Sequence, residues 1–554
     1  MGFEKTFNLV GGIDARSKRI DPSEPKYVER SGIASGTTSA GGVAVNRRIL
    51  GLLMGLGAPL LLPVQALAAE EKVEFGQAEL PAEPWTFEEQ LSETSHTVVV
   101  GGRSLTYEAT AGTLLLKDES GAKKASVFYM AYTLDGAGDP SERPLTFSFN
   151  GGPGSSSVWL HLGLLGPRRV LMSDEGHALP PPYELVDNEF SLLDVTDLVF
   201  IDPVTTGYSR AVPDEDPQQF HGVQEDVETV GEFIRLYTSR SERWASPKFL
   251  IGESYGTTRA AGLAGFLQGR HGMYLNGIML VSSILNFQTA RFDVGNDLPY
   301  ILFLPTYTAT AWYHGRLDEN LQRDLRSTLD EVEAFALGDY AEALIRGDTL
   351  EGHQREEIAD RLARYTGLSR EYVLQTNLRI QIHRFVKQLR RDEKLTIGRL
   401  DSRFTGIDRD AAAENYEFDP SYAAIQGPYT ATLNDYVRRE LGFEIDLPYE
   451  ILSGRVRPWN FGSYENRYVN VAETLRQAMT RNPSLKVFVA NGFYDLATPY
   501  FATQYTFDHL GLDPSLRHNI SMGYYEAGHM MYIQLASLMQ LKQDLREFIL
   551  SAVP

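Results

Sequence analysis

The pentapeptide Gly252-Glu253-Ser254-Tyr255-Gly256 sets a serine between two glycines, with KFLI before it and TTRAAGLAGFLQG behind it. A serine hydroxyl is a poor nucleophile until a neighbouring base takes its proton. A strand that ends in such a serine and opens into a helix presents the hydroxyl on a tight turn, which small flanking residues allow. The pentapeptide alone is poor evidence: with Gly and Ser each near 7% of residues, chance gives on the order of 0.2 copies in a chain of this length. It gains meaning if an acid and then a histidine follow.

Both are present in that order. Of the 11 histidines, His529 stands in Tyr525-Glu526-Ala527-Gly528-His529-Met530, a loop before the last helical stretch. Asp495, in ANGFYDLATPY, lies just past an apolar strand, where a carboxylate can orient an imidazole. Ser254, Asp495 and His529 are therefore the expected catalytic triad. An oxyanion formed on attack needs backbone N–H donors. One is expected from Tyr255, the residue after the nucleophile, and the other from the glycine loop Asn150-Gly151-Gly152-Pro153-Gly154. That loop lacks the lysine and Ser/Thr spacing of a phosphate-binding loop. No histidines and carboxylates cluster at ligand spacing, so neither metal nor cofactor is expected.

These residues need a scaffold. TVVVGGRSLTYEATAGTLLL (97–116) alternates about Gly101-Gly102 and reads as a hairpin, and KASVFYMAYTL alternates likewise. PLTFSF (144–149), DLVFID (197–202), KFLIG (248–252) and SLKVFVANG (484–492) are short apolar strands, several of them running into Gly-rich loops. Val223, Val227, Val230, Phe233 and Ile234 fall on one helical face between two of them. Alternating strands and helices imply a mostly parallel sheet flanked by helices, with ligands at the carboxyl ends of the strands. From about Arg291 to about Asn470 helical periodicity takes over, with Leu321, Leu325, Leu329 and Val332, then Ile358, Leu362 and Tyr365, at helix spacing.

The chain of 554 residues carries a formal net charge of -21, which disfavours nucleic acid and anionic membrane as partners. It has no cysteine, so disulfides and thiolate chemistry are excluded. Asn46-Arg47-Arg48, the apolar run Ile49–Leu62 and the Ala-x-Ala ending at Ala68 read as a secretory signal peptide behind a long leader. The arginine pair is compatible with the twin-arginine route as well as the general one. The apolar run is too short for a membrane span. The expected product is exported, periplasmic or extracellular, without stable membrane insertion once the signal is removed.

FNGGPGSSS, IDPVTTGYS, GESYG, NGFYDLATPY and EAGHM, in that order between Phe149 and Met530, resemble the motifs of the serine carboxypeptidase family, its bacterial members in particular. The resemblance implies an α/β-hydrolase fold with a helical cap, and release of C-terminal amino acids from peptides through an acyl-enzyme. It places Ser254, Asp495 and His529 on the triad, the amides of Gly152 and Tyr255 on the oxyanion hole, and Asn150 and Glu253 on the positions that hold the substrate's terminal carboxylate. Glu253 would then share a proton with that carboxylate, because two like charges in contact do not both ionise cheaply. The expected division is 1–68 leader and signal, 69–290 and 471–554 hydrolase core, and 291–470 helical cap. The partners implied are peptides with a free C-terminus.

The chain also departs from the family pattern. Ser148 stands where the family has a tryptophan, Ser155 replaces a cysteine, and Thr257-Thr258 replaces a Gly-His pair. IDPVTTGYS is one residue short of the usual form. An esterase or acyltransferase using the same triad is the alternative reading that Ser148 keeps open.

Overall fold

Ten strands make one mixed sheet: β1 (Leu91–Val100), β2 (Arg103–Lys117), β3 (Lys123–Leu134), β4 (Leu145–Phe149), β5 (Asp197–Ile201), β6 (Arg210–Ala211), β7 (Lys248–Ser254), β8 (Gly277–Ser283), β9 (Lys486–Gly492) and β10 (Ile520–Tyr525). Their order is β1-β2-β3-β5-β4-β7-β8-β9-β10, with β6 paired to β3. This computed structural model describes residues 87–553, so the leader and signal-peptide reading falls outside the described residues.

The expected hairpin about Gly101-Gly102 is present. Val100 faces Arg103, and both turn glycines take positive φ, 55° and 78°. It adds an antiparallel edge: β1–β2, β2–β3 and β3–β5 are antiparallel, and pairing is parallel from β5 through β10. The central strands are buried on both faces, as parallel strands under helices are. Alternate residues feed two cores: Leu250, Leu280 and Val489 pack on one face, and Ile251, Val281 and Ala490 on the other.

Helices α1 (Val223–Arg240) and α2 (Tyr255–His271) flank the sheet, and the face of α1 read from the sequence is the buried one, through Val223, Val230, Phe233 and Ile234. Between β8 and β9 the chain runs through α3 (Leu298–Tyr313), α4 (Leu325–Phe335), α5 (Gly352–Thr366), α6 (Ile382–Gln388) and α7 (Pro420–Arg439). Helices α3 to α6 share a third core, in which Leu329, Val332, Leu362 and Tyr365 are at most 1% exposed, whereas α7 packs into the sheet core through Ile425, Tyr429, Leu433 and Tyr436. Tyr494, Leu496 and Tyr500, around Asp495, belong to the third core. The acid's loop is thus packed into the insertion.

Long helices end at Arg439, earlier than the periodicity suggested. Gly442, Pro448, Gly454, Pro458 and Gly462 punctuate the stretch that follows, which makes only short turns. That stretch returns to the sheet end, forming bridges Ser155 to Leu452, Gly207 to Glu450 and Gly222 to Asn460. Helix α8 (Ala472–Arg481) then leads into β9, α9 (Tyr500–Asp508) lies between β9 and β10, and α10 (Leu535–Ala552) closes the chain. No helix among the described residues is long and apolar enough to cross a membrane.

Candidate active site

Ser254 sits at the seam of β7 and α2 with φ 59° and ψ -128°, a left-handed conformation that a non-glycine residue holds only under constraint. The surrounding glycines explain how the turn closes. A Cβ on Gly252 would stand 2.2 Å from the Gly256 carbonyl oxygen, and one on Gly256 would stand 2.8 Å from that of Phe149. Both glycines are needed for close approach of backbone. Thr257 Oγ1 donates to the Ser254 carbonyl at 2.7 Å and accepts from the Ile284 amide at 2.9 Å, while Thr258 Oγ1 donates to the Ile284 carbonyl at 2.6 Å. The Thr-Thr pair therefore ties the elbow to the end of β8.

His529 and Asp495 come together. Nδ1 of His529 is 2.8 Å from Asp495 Oδ2, and both residues are buried. Asp495 Oδ1 accepts from the amides of Ala497 (2.7 Å) and Thr498 (3.0 Å), and Oδ2 also accepts from Thr498 Oγ1 at 2.7 Å. A carboxylate held this fully fixes the ring orientation at Nδ1 and leaves Nε2 as the nitrogen that can act as a base. Burial alone would lower the pKa of His529, but the charge and hydrogen bond of Asp495, with Glu253 adding to them, hold it above its ordinary value.

The sheet delivers His529 to the serine's end of β7. Ser254 lies in register with Ser283 of β8, and Ser282 Oγ donates to the His529 carbonyl at 2.7 Å. Among the described residues Ser254 Oγ has no hydrogen-bond partner. Hydrogen bonds between a catalytic serine and its imidazole are often long before substrate binds and tighten in the complex.

The glycine loop after β4 packs against the elbow. A Cβ on Gly151 would lie 2.3 Å from the Tyr255 nitrogen and 2.7 Å from that of Gly256. Tyr255 opens α2, whose first amides have no carbonyl partner within the helix and can face an anion. Gly152, at φ 104°, follows directly in the loop. The two amides expected to form an oxyanion hole thus belong to segments in backbone contact.

Asn150 and Glu253 also meet. Asn150 Nδ2 donates to Glu253 Oε1 at 3.0 Å, and its Oδ1 accepts from the Leu160 amide at 3.1 Å, which sets the amide's orientation. Two groups that hold this pair were invisible in the sequence. Tyr532 donates its hydroxyl to Glu253 Oε2 at 2.5 Å. Arg259 Nη1 donates to the Asn150 carbonyl at 2.6 Å, while its other nitrogens take both oxygens of buried Asp226 at 2.8 and 3.0 Å. Burial pushes the Glu253 carboxyl up to about 7, against the opposing pull of His529 and the Tyr532 hydrogen bond. A carboxyl titrating there is available as a proton donor near neutral pH.

Ser148, one strand position before Phe149, is fully buried, and its hydroxyl has no partner. Ser155 Oγ accepts from Trp159 Nε1 at 2.9 Å, a polar role in place of a thiol. The insertion reaches His529 and the loop of Asp495 through its backbone: Leu400 O accepts from the His529 amide at 2.7 Å, and Arg399 O from the Leu496 amide at 3.2 Å. No spacing in the sequence signalled this contact. Among the described residues no three His, Asp or Glu side chains are grouped to hold a metal ion.

A mixed sheet with helices on both faces, a serine elbow at a strand end and a buried Asp–His pair on the following loops define an α/β-hydrolase-type protein. The family model described as serine carboxypeptidase matches residues 105–539, and the chain belongs to that family. Serine carboxypeptidase-like 5 of Arabidopsis thaliana is 28% identical over 156 residues, covering 27% of this chain and 33% of the plant protein. Serine carboxypeptidase-like 2 of the same plant is 28% identical over 155 residues, 27% of this chain and 32% of that protein. These matches span about a third of the length of each curated relative. Among solved structures, KEX1, a prohormone-processing carboxypeptidase from Saccharomyces cerevisiae, superposes with a TM-score of 0.50 at 17% identity, covering 79% of this chain and 91% of that one. This likeness is one of fold.

Proposed function

We propose that the protein is a serine carboxypeptidase that releases C-terminal amino acids from peptides. The observation that carries this reading is the buried Asn150–Glu253 pair beside the triad histidine, with the glutamic carboxyl at about 7. A peptide's terminal carboxylate can lie against Glu253 if the glutamic acid keeps its proton and donates it as a hydrogen bond. Asn150 supplies a second polar contact. The pair thus selects a chain end by its charge, whatever the side chain.

In the reaction His529 takes the proton of Ser254 as the serine oxygen attacks the last peptide carbonyl. The oxyanion that develops is held by the amides of Gly152 and Tyr255. His529 then protonates the departing amino group and the amino acid leaves, with the remaining peptide esterified to Ser254. Water, deprotonated by His529, repeats the addition, and the serine leaves with the proton returned from His529. Asp495 holds the imidazole in the tautomer that each step requires.

The second reading, an esterase or acyltransferase on the same triad, is favoured by Ser148, whose buried hydroxyl stands where the family has a tryptophan at the carboxylate site. The peptidase reading is supported by the Asn150–Glu253 pair, which an esterase for uncharged acyl groups has no use for. The substrates would be met after export, on the signal-peptide reading of residues 46–68. Mass spectrometry of a blocked peptide library tests the proposal. The wild type should release single residues from free C-termini, and Ser254→Ala should release none. Hydrolysis of simple esters with all peptides left intact would favour the second reading instead.

A further inference from the structure

A second polar cluster lies on the insertion's side of His529. Residues 399–401 run between the two triad loops: besides the Arg399 and Leu400 carbonyl contacts, Asp401 Oδ2 accepts from the Gly528 amide at 3.2 Å. Arg399 is therefore fixed one residue away from a direct contact with the histidine. Its side chain is buried, at 9% exposure, and its Nε has no hydrogen-bond partner.

Other buried arginines of this chain are matched to carboxylates. Arg259 pairs with Asp226, Arg403 with Asp401, and Arg143 and Arg243 with Asp197. Arg399 makes no ion pair among the described residues. The acids bonded to its own segment are spent elsewhere. Asp419 accepts from the amides of Arg399 and Leu400 and from Ser421, and Asp401 is taken by Arg403 and Gly528. A buried Nε without a partner is unfavourable and marks a place where an acceptor can arrive.

Two more groups share this condition. The Tyr416 hydroxyl is buried without a partner, and so is Nδ1 of His383 on α6. Their rings lie 5.8 Å apart. The Arg399 charge is felt at both of them and at His529, where it opposes protonation. Burial first, and Arg399 next, push His383 down to about 4, so its ring is neutral near pH 7. The cluster thus combines one fixed positive charge with a hydroxyl and a neutral imidazole that can each donate. That set suits an anion with a planar pair of oxygens.

We propose that Arg399, flanked by Tyr416 and His383, is a carboxylate-binding subsite that the helical insertion places beside the catalytic histidine and that a carboxylate of the substrate fills. The inference rests on the peptidase reading for the identity of its ligand. Because that reading gives the terminal carboxylate to Asn150 and Glu253, the occupant is an acidic side chain next to the scissile bond.

The test compares wild type with Arg399→Gln, Arg399→Lys and Tyr416→Phe on blocked dipeptides ending in Glu or Leu, on dipeptides with Glu or Leu in the penultimate position, and on a neutral acyl amino acid methyl ester. The ester has no carboxylate, and its kcat/KM should change less than about threefold in Arg399→Gln. If a side chain fills the subsite, the preference for Glu over Leu falls about 10- to 100-fold, the range expected for losing a charged hydrogen bond. A KM rise of the same size for every free acid, with no change in side-chain preference, would overturn the side-chain subsite. Arg399→Lys should retain part of the effect and Tyr416→Phe should show a smaller loss. In a Ser254→Ala background, N-acetyl-glutamate should raise the melting temperature more than N-acetyl-phenylalanine, and Arg399→Gln should abolish the difference. Equal losses on ester and peptides, or no change on any substrate, would overturn the subsite. A wild type inactive on every substrate would refute the peptidase reading, and the thermal shifts would still decide the subsite.

Discussion

Tyr532 donates its hydroxyl to Glu253 at 2.5 Å, so a residue three positions after His529 holds the acid one position before Ser254. The hydrogen bond lowers the Glu253 pKa against the larger effect of burial. In Tyr532→Phe that opposition is gone and Glu253 should hold its proton to higher pH. The alkaline limb of peptide hydrolysis then moves upward, while ester hydrolysis keeps its profile. Steady-state kinetics from pH 5 to 9 check this, and an unchanged limb would count against the coupling.

The same buried acid makes stability depend on pH. A carboxyl raised from 4.5 to about 7 contributes stability that is fully present below 4.5 and is lost as pH rises through 7. His529, also raised, contributes in the same sense, its stability present below 6.5 and lost above. The melting temperature should therefore fall between pH 5 and pH 8. Glu253→Gln, which carries no charge to bury, should flatten the decline, by up to about 3 kcal/mol at pH 8. Thermal denaturation across this range measures it.

Arg259 ties the glycine loop to α1 through Asn150 and Asp226. Arg259→Met leaves Asp226 buried without its partner and should cost about 3–5 kcal/mol of stability, read by denaturant unfolding. Asp226→Asn combined with Arg259→Met should recover part of the loss, because the stranded charge is then removed.

Asp495→Asn keeps the shape of the triad but offers His529 Nδ1 the wrong partner. The variant should fold normally and lose kcat by roughly four orders of magnitude. Gly151→Ala acts at the other end of the site. Its Cβ would press on the Tyr255 and Gly256 amides, and displacing an oxyanion donor lowers kcat by about 100- to 1,000-fold. KM should change little in either case. A loss confined to KM would place these residues in binding alone.

What the sequence disclosed follows from what is local. Ser254, Asp495 and His529 each stand at a strand end or in a loop beside one, so strand pattern and residue type were enough to single them out as candidates. The Gly101-Gly102 hairpin was equally plain, because its turn chemistry and alternation agree. Contacts made by distant segments left no trace. Nothing around Tyr532 marks it as a partner of Glu253, and nothing in the helical insertion marks residues 399–401 as the strap that holds the loops of Asp495 and His529. The sheet's antiparallel edge was understated because alternation in β2 and β3 does not reveal which neighbour each strand takes. Residues 440–470 read as helical from their apolar spacing, yet their glycines and prolines break any long helix.

The central claim is that a proton shared between Glu253 and the substrate's own carboxylate selects chain ends. The most direct measurement is kcat/KM against pH for one blocked dipeptide and for the matching ester that lacks a free carboxylate. The account predicts that peptide hydrolysis falls above a midpoint near 7 while ester hydrolysis persists, and that Glu253→Gln removes the fall. Superimposable profiles for the two substrates in the wild type would contradict it.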